Sequence, residues 1–438
     1  MSPQRFIVSS LCIALGLAAL VASINIVVDP YLLFDEPRRV AFNEVKPAVE
    51  TREMLMKAYQ SRRVVAKTVI LGSSRTDIAF DPASAVWPDA LRPVYNLSIA
   101  GGGVETGLRY LQHMIDGRPA QQVPRALVVG LDFESFLELP ESREASTPRA
   151  RDAVGAEAWR KRLLLDSEGA RNSSYEAQRF DDYLTGLLSL DALSDSVATV
   201  LASRRPSTSP NLEVDGRTSE ARFMDWTNAE GAGGLFRQKQ QQTIRQFASP
   251  RRVLGGLSDT GELKTVRQLL DFAQSHRMTV VLLVMPAHAT RLELFDQLCY
   301  WGEYERWKRA LADTVSAAVA RGTDARALDF GGFEEPNREA VPTAEGGRMK
   351  WFWDPTHATK LLGEAILERT FAATGDGFGV PLIPQTIEAR LEAVRSDRES
   401  YRQAQARGAA RSAESHCAAG DCVAQRSCAA STPRFSMR

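Results

Sequence analysis

Two serines follow a short apolar run in a pattern that could expose a nucleophile. The segment TVILGSSRTDIAFDP begins at Thr68, and its first residues predict a buried strand that breaks at Gly72. Several hydrolase folds expose a nucleophile at a sharp turn from strand to helix, because the turn lifts the side chain out and aims backbone N–H groups at it. The same residues also suit an ordinary turn in which Ser73 or Ser74 caps the following helix.

A carboxylate and an imidazole occur together near the end of the chain, in the segment DPTH. Asp354 and His357 are three residues apart, so one turn can aim both side chains at the same point. A carboxylate that holds an imidazole, and an imidazole that takes a proton from a serine, are two parts of a catalytic triad. Alone, the pair would equally suit a helix cap formed by Asp354. Together with a serine turn on the same sheet, the catalytic interpretation is favoured.

These residues lie at the ends of predicted strands. Short apolar runs alternate with helical stretches over residues 66–137 and again from residue 261. Such continuous runs are typical of parallel strands that helices cover on both faces. Ligands of open α/β sheets bind outside the carboxyl ends of the strands. Four polar segments follow strands in this way: GSSRT, NLSIAGGG, GLDFES and the PAH of VMPAH.

The ordered set of segments resembles the SGNH, or GDSL-like, hydrolase superfamily. In LGSSRT, Ser74 stands at the place of the family's nucleophile. In VYNLSIAGGG, Gly101 stands at the glycine whose amide serves the oxyanion hole, together with the amide of the nucleophile. DPTH is similar to the last block, which supplies the orienting carboxylate and the base. The resemblance covers roughly residues 66–137 and 261–375, and it implies a flavodoxin-like, three-layer α/β domain with a parallel sheet.

One position departs from that family pattern. The third block normally reads G-x-N-D, and GLDF here places Asp132 where an asparagine would donate to the oxyanion. An ionised carboxylate cannot donate, and losing one such donor costs about 10²–10³ in rate. Three interpretations stay open: Asp132 is held neutral, another donor such as Arg75 replaces it, or the domain is weakly active or inactive. Arg75 is also a candidate for binding an anionic substrate group, or an ordinary surface arginine.

Two further residues are candidates for substrate binding. Trp353, in WFWD, immediately precedes the proposed catalytic carboxylate. An exposed tryptophan near a site suits stacking on a sugar, whereas core packing is the common alternative. His288 follows the strongest predicted strand, in VMPAH, and it either contacts substrate or simply ends the strand.

The N-terminus predicts a membrane anchor. Phe6 to Val28 is a run of residues without charge, long enough to cross the hydrocarbon core of a bilayer as a helix. Arg5 precedes the run, which places Met1 in the cytoplasm and the body outside it. The alternative is a signal peptide cleaved after VAS. The length of the apolar run favours an uncleaved anchor, and both interpretations export the body.

The chain as a whole divides into four parts. We expect an anchor over 1–29, a linker and charged helix over 30–65, an α/β domain over 66–385 with a large, mostly helical insertion at about 140–260, and a polar, largely disordered tail over 386–438.

Composition narrows the classes of partner. Lys plus Arg and Asp plus Glu both number 54, so the net charge is zero and no nucleic-acid partner is expected. The tail carries Cys417, Cys422 and Cys428 beside His416, with a spacing that fits none of the usual zinc patterns. We therefore expect no metal site and no cofactor.

An N-terminal anchor followed by a GSSR turn is similar to the membrane-anchored SGNH-like proteins of bacterial envelopes, related in plan to those that O-acetylate alginate or D-alanylate teichoic acid. The resemblance implies a serine-dependent acyl ester hydrolase or O-acyltransferase that acts on a cell-envelope glycan or polysaccharide. It also implies an inner-membrane location, with the main domain periplasmic, and a multi-span acyltransferase as partner. The alternative is a non-catalytic accessory protein of the same fold, which binds polysaccharide or such a membrane complex.

Overall fold

A computed structural model describes residues 2–139, 159–166, 168–205, 212–255, 261–342, 347–371 and 378–415. Within these residues the chain forms twelve α-helices, a six-stranded sheet and a two-stranded sheet. The strands are β1 (Thr68–Leu71), β2 (Val94–Asn96), β3 (Ala126–Leu131), β4 (Leu137–Glu138), β5 (Val253–Leu254), β6 (Thr279–Val284), β7 (Ala325–Asp329) and β8 (Val380–Pro381). The helices are α1 (Pro3–Val28), α2 (Val49–Ser61), α3 (Ser74–Ala79), α4 (Val104–Ile115), α5 (Tyr175–Leu188), α6 (Leu190–Ser203), α7 (Ala221–Phe247), α8 (Gly261–Ser275), α9 (Ala289–Gln297), α10 (Trp301–Ala320), α11 (Lys360–Phe371) and α12 (Ile387–Ser415).

The large sheet is mostly parallel, as its apolar strands predict. Its order is β2-β1-β3-β6-β7-β8, and only β8 runs antiparallel to its neighbour. Every residue of β1 and β3 is buried. Strands buried on both faces need apolar side chains at consecutive positions, which accounts for the continuous Val, Ile and Leu runs.

Helices cover both faces of this sheet. Val69 and Leu71 of β1 pack into a large apolar cluster with α4, α8 and α10. Ile70, between them, points into a second cluster that includes Phe80 and residues of α7 and α11. This alternation along one strand follows from the two-residue period of side chains in a β-strand.

The insertion between β3 and α8 is helical where it is described, with α5, α6 and α7 as its main elements. Its start and end are joined by the short antiparallel pair of β4 and β5. Helix α7 is interrupted at Gly231, where φ is 70° and ψ is 157°. Through α7 the insertion reaches the site described below.

Helix α1 is mostly exposed, and it is long and apolar enough to span a membrane. The segment after it, in which we expected a linker, is instead folded against the insertion. Tyr31, Leu32 and Leu33 are buried in a cluster with residues of α2 and with Ala192 of α6. The chain therefore enters the body directly at the end of α1.

The expectation of a disordered tail from residue 386 is wrong for residues 387–415, which form α12. Ile387, Leu391 and Val394 recur at helical spacing and are buried in the large cluster. Arg398 forms ion pairs with two acidic side chains of α9. Most polar residues of α12 are exposed, but Arg390 and Arg398 are buried. The charged composition concealed this helix because its buried residues are widely spaced among exposed polar ones. The tail cysteines and His416 lie outside the described residues.

Candidate active site

The serine turn joins β1 to α3. Gly72 has φ of 152°, and a Cβ there would lie 2.3 Å from Thr76 Oγ1 and 3.2 Å from the carbonyl oxygen of Gly130. Glycine therefore permits a close approach that another residue would block. Ser73 caps the helix, because its hydroxyl accepts the N–H of Arg75 at 3.2 Å. The capping role thus falls to Ser73, which leaves Ser74 as the first residue of α3.

Ser74, His357 and Asp354 form a hydrogen-bonded chain. Ser74 Oγ lies 2.9 Å from His357 Nε2, and His357 Nδ1 lies 2.7 Å from Asp354 Oδ2. Asp354 Oδ1 accepts the backbone N–H groups of Thr356 at 2.7 Å and of His357 at 2.9 Å. This network assigns the proton of the neutral imidazole to Nδ1 and leaves Nε2 as the acceptor for the serine proton.

The surroundings keep Asp354 ionised. Burial by itself would raise the pKa of this carboxyl, but its electrostatic interaction and hydrogen bond with His357, the charge of Lys239 and the N–H of Thr356 hold it well below its usual range. The ring of Phe223, from α7, lies 4.9 Å from the imidazole ring centre. The insertion therefore covers the histidine, and Asp354 is available as a fixed negative charge that orients it.

Asp132 accepts a hydrogen bond and makes an ion pair. The hydroxyl of Ser73 donates to its Oδ2, and Arg75 Nε lies 3.3 Å from its Oδ1. Burial raises the pKa of Asp132, and the positive charge of Arg75 opposes that shift. Arg75 also pairs with Glu134, at 2.6 Å, and Arg291 contributes a second cation to the same carboxylate at 2.7 Å. Arg75 is thus a buried, doubly paired arginine, not a surface one.

A cavity of about 550 Å³ opens over this network. Ser74, Gly101 and Asp132 border it, as do residues of the insertion, among them Leu139 and Arg252. Gly101 has φ of 71°, which favours glycine. Three segments meet at this cavity: the serine turn, the NLSIAGGG loop and the DPTH segment, whose Thr356 borders it.

His288, a candidate for substrate binding, does not reach this cavity. It is buried as the N-cap of α9, where its Nδ1 accepts the N–H of Thr290 at 3.2 Å and its Nε2 donates to the carbonyl oxygen of Glu339 at 2.7 Å. Burial lowers its pKa to about 4. We therefore correct that prediction: His288 is a structural residue, whose backbone N–H also donates to the carbonyl oxygen of Pro355, within the DPTH segment.

Trp353 is half-buried beside the histidine rather than in the wall of the cavity. Its indole N–H donates to Glu220 Oε1 at 2.9 Å, and its ring centre lies 6.2 Å from that of Phe223. Its backbone N–H donates to the carbonyl oxygen of His357 at 2.9 Å. Trp353 thus connects the DPTH turn to the insertion, and part of its surface stays accessible.

A buried lysine supports the site, and no pattern in the sequence indicated this role. Lys57 of α2 is fully buried, with its Nζ 3.0 Å from Asp77 Oδ1 and 3.1 Å from Glu53 Oε1. Glu53 Oε2 accepts the N–H of Ala100 at 3.1 Å. These contacts tie α2 to α3 and to the loop that carries Gly101. In sequence, Glu53 and Lys57 resemble an ordinary i,i+4 surface pair.

No group of three or more His, Cys, Asp or Glu side chains that could hold a metal ion occurs in the described part of the chain. In comparisons with known proteins, no family model matches this sequence. No curated protein matches it either. Function is therefore inferred from the residues of the site itself.

Proposed function

We propose that this protein is a serine-dependent acyl ester hydrolase or O-acyltransferase of the SGNH type. The observation that carries the proposal is the chain of hydrogen bonds from Ser74 through His357 to Asp354. A hydroxyl, an imidazole and a buried carboxylate in this order are the parts needed to activate a serine nucleophile. Their position beside an open cavity gives an ester room to approach.

In the proposed reaction, Ser74 Oγ attacks the carbonyl carbon of an ester while His357 Nε2 takes the hydroxyl proton. The backbone N–H groups of Ser74 and Gly101 stabilise the oxyanion. That of Ser74 is the first of α3, and the first N–H groups of a helix have no partner within it. His357 then returns the proton to the leaving alcohol, which leaves an acyl group on Ser74. Water or a sugar hydroxyl resolves this acyl-enzyme, with His357 again taking the proton.

The strand order supports the SGNH assignment. The five parallel strands run β2-β1-β3-β6-β7, which corresponds to the flavodoxin-like order 2-1-3-4-5. Ser74 follows β1 at its carboxyl end, where ligands of such sheets bind. Fold similarity alone does not define an activity, so the triad carries more weight than the topology.

A cell-envelope glycan is the proposed acceptor or substrate. Helix α1 suits an inner-membrane anchor, and its flanking charge favours a periplasmic body. A multi-span acyltransferase in the same membrane would supply the acyl group. Trp353, whose half-buried ring lies near Phe223, the residue that covers His357, is suited to contact a sugar at the edge of the site.

A second candidate function is a non-catalytic accessory protein that binds polysaccharide or a membrane acyltransferase complex. The pairing of Asp132 with Arg75 favours it, because this carboxylate accepts a hydrogen bond at the position where the family donates one. Arg75 is itself already paired with two carboxylates, those of Asp132 and Glu134. In this alternative, the cavity binds a glycan without breaking a bond.

A fluorophosphonate probe distinguishes the two functions. The full-length protein in detergent is treated with the probe, and its intact mass is measured beside Ser74→Ala and His357→Ala. We expect wild type to gain the mass of one probe and both variants to gain none. Ser135→Ala is the matched control, since Ser135 borders the same cavity and should leave labelling intact. A folded wild type that is not labelled would contradict the hydrolase and leave the accessory function.

A further inference from the structure

Helices α5 and α6, which bend by 61° at their junction and are called the hairpin below, have an unusually apolar outer face. Small residues lie on its inner side, where Gly186 and Ser196 are buried. The residues exposed on the outer side include the large apolar side chains Phe180, Leu184, Leu188, Leu190, Val197 and Leu201. Exposed apolar surface of this extent commonly marks an interaction site.

The hairpin packs against α1, the helix that is long and apolar enough to span a membrane. Asn25 of α1 donates to the carbonyl oxygen of Leu187 at 3.1 Å and accepts the hydroxyl of Ser196 at 2.9 Å. Helix α1 contacts both α5 and α6. The residues of α1 that are at least partly covered include a set at helical spacing along one side: Ala18, Val21, Ala22, Asn25 and Val28.

This contact brings the hairpin to the level of the membrane. Ala18 and Val28 are ten residues apart, which is about 15 Å along a helix. The hydrocarbon core of a bilayer is about 30 Å thick. If α1 spans the membrane, the elements that pack along its second half lie beside lipid, and the side of the hairpin that faces neither α1 nor the body must meet lipid as well.

Exposed carboxylates limit how deeply the hairpin enters. Glu176, Asp181 and Asp191 are exposed on the same helices, and ionised carboxylates are costly in hydrocarbon. The two helices are also bent by 61° at their junction instead of continuing as one straight span. An amphipathic element with an apolar face and nearby charges suits the boundary between headgroups and acyl chains.

We propose that α5 and α6 form a second membrane contact, which lies in the interfacial layer of the leaflet that faces the body. The apolar face contacts the boundary between headgroups and acyl chains in the bilayer that α1 enters. Two contacts would fix the orientation of the body on the membrane, whereas a single helix leaves it free to rotate and tilt. This inference rests on insertion of α1 and is independent of the catalytic proposal.

Lipid photolabelling tests this contact. The full-length protein is reconstituted into vesicles of phosphatidylethanolamine and phosphatidylglycerol that contain a lipid with a diazirine in its acyl chain. After irradiation, labelled peptides are mapped by mass spectrometry. We expect label in α1 and in the α5–α6 hairpin. Two peptides serve as internal controls, one that contains Val319 and one that contains Ile383. Both residues are apolar and exposed elsewhere on the body, and both peptides should lack label.

A paired substitution completes the test. Leu188→Glu combined with Leu190→Glu should abolish label in the hairpin and leave label in α1, while Val319→Glu should change neither. A wild-type hairpin labelled no more than the Val319 peptide, with α1 labelled, would overturn the proposal. If that protein were also a dimer by mass photometry, a second copy of the chain would be the occupant of the face.

Discussion

At the scale of single residues, the site combines the three parts of the proposed catalytic triad with an unusual neighbour. Ser74 and His357 are 2.9 Å apart, with Asp354 behind the imidazole. Beside them, Asp132 accepts a hydrogen bond from Ser73 and forms an ion pair with Arg75. A negative charge near a developing oxyanion raises the energy of the transition state. In the proposed reaction, substitution of Asp132 is therefore expected to change the rate.

Asp132→Asn is expected to increase the rate of ester hydrolysis, because an amide can donate to the oxyanion and removes the negative charge. A donor of this kind contributes about 10²–10³ in rate, and we expect a gain of up to about 10². The measurement is kcat/KM on a chromogenic acetyl ester.

Asp132→Ala is the matched control, since it removes the charge without adding a donor. A gain in the asparagine variant that the alanine variant does not share would assign the effect to the donor. A loss of activity in both variants would instead mean that Asp132 serves the site by holding Arg75 in place.

At the scale of elements, α2 supports the site although it precedes the sheet in the chain. Its Lys57 reaches Asp77 of α3, and its Glu53 reaches the N–H of Ala100. Helix α3, which begins at Ser74, and the Gly101 loop are thus held to one another through a third element. Removing one partner from a buried ionic network leaves the others without compensation, which is far more costly than removing a surface pair.

Lys57→Met should lower the free energy of unfolding by about 3–5 kcal/mol, because the buried Asp77 and the partly buried Glu53 lose their cation. Urea unfolding followed by circular dichroism measures the change. Lys161→Met is the control, since Lys161 is exposed. If Lys57→Met lowered the free energy of unfolding no more than Lys161→Met does, the network would be shown to rearrange without cost.

A second prediction at this scale concerns the contact between α8 and α4. Glu262 of α8 accepts the N–H of Glu105 at the start of α4 at 3.2 Å, and burial raises its pKa from 4.5 to about 7. The folded state then binds this proton more tightly than the unfolded state does. The contribution of Glu262 to stability is therefore present in acid and is lost as the pH rises from 4.5 to about 7.

Glu262→Gln should flatten the pH dependence of stability over that range, because an amide does not ionise and its oxygen can still accept the N–H. The measurement is the urea midpoint at a series of pH values. Glu399→Gln, at an exposed position of α12, serves as the control and should reproduce the wild-type curve. An unchanged slope in Glu262→Gln would assign the pH dependence to other groups.

At the scale of the whole molecule, insertion of α1 into a membrane would determine where the site can act. One long apolar helix precedes the body, and Arg5 lies on its short side. Basic residues near a membrane helix favour the cytoplasmic side. This arrangement predicts a body outside the cytoplasm, where an acylated envelope glycan would be accessible.

Cysteine accessibility measures this orientation. Cys299 is exposed on the body, so a membrane-impermeant maleimide should label it in intact spheroplasts when the three tail cysteines are replaced by serine. Cys12 lies within the apolar helix and should stay unlabelled. In a Cys299→Ser background, Ser2→Cys should become labelled only after permeabilisation. The reverse pattern would place the body in the cytoplasm.

Sequence alone determined the parts of this protein that depend on neighbouring residues. The apolar runs of the parallel strands, the uncharged run of α1, the serine turn and the pair of Asp354 and His357 are all visible within short segments. In each case the spacing of a few residues sets the geometry, because strand and helix periods act locally.

Only the tertiary structure decided how distant residues meet. Ser74 and His357 are 283 positions apart, and their contact depends on strand order rather than on any local pattern. The same holds for the partners of Lys57 and Asp132, for the burial of His288 as a cap and for the packing of α12. A charged side chain has the same local pattern whether it faces water or a buried partner, so its role is set by the packing that surrounds it.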